Sequence, residues 1–234
     1  MLSRLFGIYW LACFGVFALL GVALVAVTPG QPNRRRIARA CARTVFWLTG
    51  MPPRFENADA LPTSSCVVVA NHASYLDGII MMATLPARFA FVIKKEITAI
   101  PLVHFLLRRI GSHFVTRTNP HAGAADALQI LRSTAGSDSL GFFPEGTFKR
   151  QPGLNPFKPG AFRIAARAGW PVVPVVIHGS RQILPDGRVL PAPGQITVTL
   201  TDPVTAAEPE ALMRLARRQI LDILPEPDLQ AAAD

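Results

Sequence analysis

The pattern of apolar and polar positions divides the chain in two. Residues 5–27 form an uncharged apolar run of about 23 residues, long enough to cross a hydrocarbon core of about 30 Å. After the turn signal Pro29-Gly30, Arg35, Arg39 and Arg43 recur every four residues, with Ile37, Cys41, Val45 and Leu48 between them. That spacing predicts a cationic amphipathic helix suited to an anionic membrane surface, or a basic face packed on the rest of the protein. The two segments make either a spanning anchor or a helical hairpin dipping into one leaflet. From about residue 52 the pattern changes. Short β-rich runs at 66–70, 89–93, 113–115, 139–143, 172–178 and 195–200 alternate with helical stretches at 75–85, 101–110, 122–134, 161–168 and 207–224. This predicts an α/β fold: a mixed, largely parallel sheet flanked by helices. The runs V-V-V-A and V-V-P-V-V-I read as strands buried on both faces, and Pro174 marks a bulge or an interruption of regular pairing. Asp186-Gly187 reads as a turn in a Pro-rich loop. The expected organisation is an anchor over 1–50, one catalytic domain over 51–225 and a frayed tail over 226–234.

Composition sharpens this picture. Half of the 234 residues are hydrophobic and 17% are charged, greasier than an ordinary soluble domain. Lys and Arg number 24 against 15 Asp and Glu, a formal charge of +9 that favours anionic partners. Nucleic acid is not the expected one: aromatics are 8%, and there is no zinc, basic-zipper or recognition-helix pattern. Cys13, Cys41 and Cys66 lack metal-ligand spacing and read as packing thiols without a disulfide framework. The apolar run is too long for a signal-peptide core and is expected to be retained. Arg4 precedes it and Arg34, Arg35, Arg36, Arg39 and Arg43 follow, which places the catalytic domain on the cytoplasmic side (the inner membrane in a bacterium).

The chemistry lies at strand ends. In V-V-V-A-N-H-A-S-Y-L-D a buried strand delivers Asn71 and His72 into a loop, Ser74 is a candidate helix cap, and Asp77 falls in the first turn of the next helix. Five residues across such a corner let the Asp77 carboxylate fold back onto the His72 ring. A carboxylate that accepts one ring N–H fixes the tautomer and leaves the other nitrogen as a base. The plainer reading is a packed histidine beside an aspartate that complements the helix dipole. The second signal is F-F-P-E-G-T, where Pro144 and Gly146 bend the chain and Glu145 and Thr147 offer polar groups at a strand's carboxyl end, where ligand sites gather in open α/β sheets. V-P-V-V-I at 173–177 reads as core or acyl-contact surface.

In this order and spacing, N-H-x4-D, F-P-E-G-T and V-P-V-x-I resemble the glycerolipid acyltransferase family that includes the 1-acylglycerol-3-phosphate acyltransferases. The resemblance covers roughly residues 52–203. F-V-I-K-K-E-I-T-A-I-P resembles the family's second block, which brings in Lys94, Glu96, Pro101, Gly111 and Arg117, and F-K-P-G at 157–160 resembles the continuation of the third. It implies transfer of a fatty acyl group from a thioester, acyl-CoA or acylated carrier protein, to the free hydroxyl of a lysophospholipid, most often forming phosphatidate. His72 and Asp77 would be the general-base dyad, with Lys94 or backbone N–H groups near Gly146 stabilising the oxyanion. Acceptor binding would fall to Arg117, Glu145, Gly146, Thr147, Arg150 and Lys158. No cofactor or metal is implied, and His104, His113, His121 and His178 show no ligand spacing. A covalent acyl-enzyme is not expected, for there is no G-x-S-x-G elbow.

Two departures concern the acceptor. Phosphatidate-forming members usually carry arginine directly after F-P-E-G-T, whereas here Phe148 stands there, followed by Lys149 and Arg150, and His104 replaces a common glycine. A phosphate monoester is best held by a bidentate guanidinium, so a lysophosphodiester or lyso-aminolipid acceptor is an alternative. Two other classes compete with the transferase: a non-catalytic membrane-anchored lipid-binding protein, and a thioesterase in which water takes the place of the alcohol.

Overall fold

A computed structural model describes residues 2–115, 130 and 138–230. Seven strands form one sheet in the order β1-β7-β6-β2-β5-β3-β4: Arg54–Glu56 (β1), Val67–Ala70 (β2), Phe89–Lys94 (β3), His113–Val115 (β4), Ser139–Phe142 (β5), Val172–His178 (β6) and Thr197–Leu200 (β7). All pairings are parallel except β6 with β7. The sheet is thus mixed and largely parallel. The six predicted strands recur with shifts of a residue or two, while β1, three residues long, was too short to leave a periodic signal.

Strand β2 is central and completely buried, which explains its unbroken apolar run. Its residues point alternately to two cores. Val68 and Ala70 join Val173, Val175 and Ile177 on one face, beneath Trp10, Phe46 and Ile80. Val67 and Val69 join Leu140, Val172 and Val176 on the other, beneath Phe162, Ala216 and Ile220. The helices over the first face are Leu2–Val27 (α1), Gln31–Leu48 (α2) and Asp77–Thr84 (α3); Pro101–Arg109 (α4) adjoins α1. Gly160–Ala168 (α5) and Pro209–Ile223 (α7) cover the second face, and a single turn, Ser180–Ile183 (α6), follows β6. Most of the predicted 122–134 helix lies outside the described residues.

Pro174 does mark a bulge. Val175 pairs with Leu200 but Val172 with Val204, so two residues of β6 oppose three of the neighbouring segment. The missing N–H is accommodated without breaking the register with β2, where Val69 lies opposite Pro174.

Helices α1 and α2 form an antiparallel hairpin laid along the domain. Tyr9 donates its hydroxyl to the Leu48 carbonyl at 3.1 Å, and a Cβ on Gly21 would sit 3.5 Å from the Cys41 sulfur. Near its start α1 abuts the loop after β6, with Gly7 so close to Leu190 that a Cβ would approach within 2.8 Å. Near its end Val25 packs with Ala38 and Ile110, and Arg109 donates to the carbonyls of Val25 and Ala26. The other side of α1 exposes Leu5, Ile8, Val16 and Leu19. The arginine row of α2 does not form one outward basic face. Arg35 is buried in a bidentate pair with Asp138 at 2.7 and 2.9 Å, and Arg39 donates to the Thr84 carbonyl; Arg36 and Arg43 point outward. The four-residue period marks a face but not whether protein or solvent covers it. Here the Asp138 segment covers it at Arg35 and α3 at Arg39, and Arg43 is left outside.

Candidate active site

The parallel strands β2, β5 and β3 deliver their carboxyl ends to one edge of the sheet. There β2 continues into Asn71-His72 and β5 into Pro144-Glu145. Asn71 anchors the first loop to β6: its side-chain amide donates to the Ile177 carbonyl at 3.0 Å, and its oxygen accepts from the Ile177 N–H at 2.7 Å. Glu145 anchors the same loop from β5, accepting the His72 backbone N–H at 2.6 Å.

Between these anchors His72 and Asp77 meet. His72 Nδ1 lies 2.9 Å from Asp77 Oδ2, and the same oxygen accepts the N–H groups of Ala73 at 2.6 Å and Ser74 at 2.8 Å. Asp77 is fully buried, so these donors and not water satisfy Oδ2. Backbone N–H groups can only donate, hence Oδ2 is an acceptor and Nδ1 carries the hydrogen. Nε2 is left as the basic nitrogen. The ring is flanked by Phe143, stacked at 4.3 Å, and by Phe148, tilted at 4.6 Å. Tyr75 meets Phe148 edge-on at 4.8 Å and donates its hydroxyl to Asp186 at 2.9 Å. An imidazole so bordered by apolar rings keeps one partly open nitrogen for a proton transfer.

Ser74 is not the helix cap the sequence predicts. Its hydroxyl donates to the Leu184 carbonyl and accepts from the Leu76 N–H, while α3 begins at Asp77. Asp77 itself accepts the Ala73 and Ser74 N–H groups, and Ser74 is engaged on both sides.

Glu145 is buried and turned away from any acceptor. Oε1 accepts from His72, and Oε2 accepts the backbone and side-chain N–H groups of Asn155, both at 2.8 Å. It braces the His72 loop, in place of the acceptor contact predicted for it. Burial pushes its carboxyl above the usual value, against the pull of these hydrogen bonds. A raised folded pKa contributes stability that is complete below the ordinary value of 4.5 and is lost as pH rises through the folded value. Glu145→Gln must turn its amide NH2 toward one of three donors, which costs about 1–3 kcal/mol. The variant also lacks the titration. Urea midpoints measured from about pH 4 to 8 are therefore expected to show the variant less stable, with the gap narrowing as pH rises; a constant gap removes Glu145 as the titrating group.

The remaining predicted residues divide. The Gly146 N–H donates to the Phe143 carbonyl at 3.0 Å within a tight turn that holds Gly146 at φ 76°, which side chains rarely adopt. That N–H is thus committed to the turn and not aimed at an oxyanion. Lys158 binds the Pro144 carbonyl through its backbone N–H and leaves its side chain exposed beside the turn. Thr147, Lys149 and Arg150 are exposed on the same loop. Lys94 ends β3 on the correct sheet edge, but β5 lies between β3 and β2, a spacing of roughly 10 Å. Arg117 lies outside the described residues. His104 packs edge-on against Phe114 at 5.3 Å. Sequence reasoning missed Asn155, Tyr75 and Asp186. Asn155 follows a Pro-Gly turn with no distinguishing local signal, and only its place beside Glu145 identifies it.

Comparison with known proteins places the chain in a family and its fold among solved structures. The sequence profile of the family described as Acyltransferase matches residues 52–178, which include His72, Asp77 and the F-P-E-G-T turn. The chloroplastic 1-acyl-sn-glycerol-3-phosphate acyltransferase of Brassica napus is 30% identical over 94% of this chain and 67% of its own length. The 1-acyl-sn-glycerol-3-phosphate acyltransferase of Borreliella burgdorferi is 29% identical over 61% of this chain and 57% of its own. The chain thus spans little more than half to two thirds of these relatives. The crystal structure of the 1-acyl-sn-glycerophosphate (LPA) acyltransferase of Thermotoga maritima superposes with a TM-score of 0.77 at 23% identity, covering 93% of this chain and 92% of that one; it shares the fold.

Proposed function

The chain belongs to the acyltransferase family, and on that premise we propose that it moves a fatty acyl group from a thioester to the free hydroxyl of a lysophospholipid, lysophosphatidate first among them. The observation that carries this reading is the His72–Asp77 contact at 2.9 Å, with the accepting oxygen fixed by two backbone N–H groups. His72 Nε2 takes the proton of the acceptor hydroxyl, while the Nδ1 hydrogen stays on the ring and is donated to Asp77. The alkoxide oxygen bonds to the thioester carbonyl carbon, giving a tetrahedral oxyanion. The C–S bond then breaks, and the leaving thiolate takes the proton from the imidazolium. The acceptor supplies the nucleophile, in keeping with Ser74 being occupied by structural hydrogen bonds. Lys94 is the side chain proposed for the oxyanion.

The donor is acyl-CoA or an acylated carrier protein; both are anionic, and Lys149, Arg150 and Lys158 lie exposed beside the site. A lysophosphodiester or lyso-aminolipid acceptor is the second reading, favoured by Phe148. Its ring packs on His72 at the position where a phosphate-binding guanidinium is usual. We place the hairpin of α1 and α2 in the cytoplasmic leaflet. A helix tied to the domain near both ends lies along it, and its exposed apolar side faces lipid.

One assay tests these points: the full chain on anionic phospholipid vesicles, with each donor and a panel of lysolipids. The protein is expected to sediment with the vesicles and to acylate lysophosphatidate. Turnover of another lysolipid alone moves the second reading to the front. Hydrolysis of the thioester at the same rate without any lysolipid marks a thioesterase, and no reaction leaves a lipid-binding protein. Lys94→Ala is expected to lower kcat more than it raises KM; the reverse removes its oxyanion role.

A further inference from the structure

The segment after α7, expected from sequence to fray, is tied down through residue 230. Leu154 donates its N–H to the Pro227 carbonyl at 2.9 Å, and Leu229 donates to the Leu154 carbonyl at 3.1 Å, a short parallel bridge. The loop it pairs with runs from the F-P-E-G-T turn to α5. Two carboxylates of the tail reinforce the pairing, each through an arginine from elsewhere in the fold.

Glu226 forms a bidentate pair with Arg181 of α6, both contacts at 2.8 Å, and also accepts the Gly153 N–H at 2.8 Å. Arg181 donates through its third nitrogen, Nη1, to the carbonyls of Lys149 and Gln151. Asp228 pairs with the largely buried Arg217 of α7, whose guanidinium lies over the Phe157 ring at 4.9 Å. Arg217 also donates to the carbonyls of Asn155 at 2.7 Å and Leu154 at 2.9 Å. Asn155 in turn makes two of the three hydrogen bonds on Glu145, and Glu145 makes the third with the His72 backbone. A continuous chain of contacts thus runs from Asp228 through Arg217, Asn155 and Glu145 to the proposed base.

We propose that residues 226–229 are a strap that positions the active site: Glu226 and Asp228, acting through Arg181 and Arg217, hold the loop at 149–155 so that Asn155 and Glu145 keep His72 in place. These are positioning residues; none touches the reacting atoms. The inference rests on the proposed catalytic role of His72. An arginine whose hydrogen-bond partners are loop carbonyls and one carboxylate loses its orientation when the carboxylate is removed. The carbonyls it held then regain freedom, and the error is passed to Glu145. A displacement of about 1 Å at a catalytic group can cost about 100-fold in rate.

The test compares the full chain with a form ending at Pro225 and with the double variant Glu226→Gln, Asp228→Asn, which keeps the main-chain pairing. Amide hydrogen exchange of the peptides containing His72 and residues 149–157 is read beside kcat and KM. The truncated form is expected to exchange faster in both peptides and to lose about 10- to 100-fold in kcat, with the donor KM within about twofold. The double variant is expected to fall between. Unchanged exchange at His72, or kcat retained within about twofold, overturns the strap. Should the truncated form not fold, the double variant decides by the same readings. Should the full chain turn over no acceptor, the catalytic reading fails, and exchange alone still decides whether the tail positions His72.

Discussion

His72→Ala is expected to lower kcat by about 10²–10⁴-fold, with a much smaller change in KM. In the proposed reaction the imidazole, with one nitrogen tied to Asp77, acts through proton transfer and not through binding of the lysolipid. Removing it leaves the loop geometry in place, because the His72 backbone N–H and not its ring is what Glu145 holds. The folded state therefore survives, and circular dichroism and vesicle sedimentation are expected to match the unaltered chain. Steady-state turnover with the accepted lysolipid checks the first part. A variant as active as the unaltered protein sinks the base assignment. A variant with kcat intact and KM raised makes His72 a binding residue.

Asp77→Asn is expected to cost about 10- to 100-fold in kcat, less than His72→Ala, for a reason particular to this site. One carboxylate oxygen accepts all three hydrogen bonds, from His72 Nδ1, Ala73 and Ser74. In the asparagine variant the two backbone donors select the amide oxygen for that position. The His72 tautomer is therefore kept, and only the negative charge opposite the forming imidazolium is lost. A charge-assisted hydrogen bond is worth about 1.5–3 kcal/mol, and about 1.4 kcal/mol corresponds to tenfold. The new NH2 group falls where Asp77 Oδ1 lies buried with no hydrogen-bond partner among the described residues. An unpaired buried donor costs about 1–3 kcal/mol of stability, which a urea midpoint reads directly. A loss of turnover as large as that of His72→Ala means instead that the amide has turned its NH2 toward the ring and imposed the wrong tautomer.

The contact between His72 and Asp77 was legible in the sequence because it is local. Five residues across a strand–loop–helix corner bring the two side chains together whatever the rest of the fold does, and the unbroken apolar run of β2 announces a buried strand before them. The same holds for the largely parallel sheet, since the alternation of β runs and helical stretches constrains the layers. The roles of Glu145 and Gly146 were not legible in this way. A carboxylate beside a glycine turn reads equally as ligand contact or as brace, and Asn155 beside Oε2 made it a brace. Arg35 and Arg39 present the same ambiguity on α2: helical period identifies a face, but Asp138 and the Thr84 carbonyl decided that it faces inward. The tail is the clearest case. Residues 226–230 have no periodic pattern, and their order comes from Arg181 and Arg217, donors 45 and 11 residues earlier in the chain. The His72–Asp77 contact and the layered fold could be read from the sequence, because each follows from contacts within a few residues or from a repeating period, and the acyltransferase family from the order and spacing of the three motifs. Only the tertiary structure decided which charges are braces, which arginines are buried and what holds the loop behind His72, because hydrogen bonds between distant segments leave no trace in local pattern.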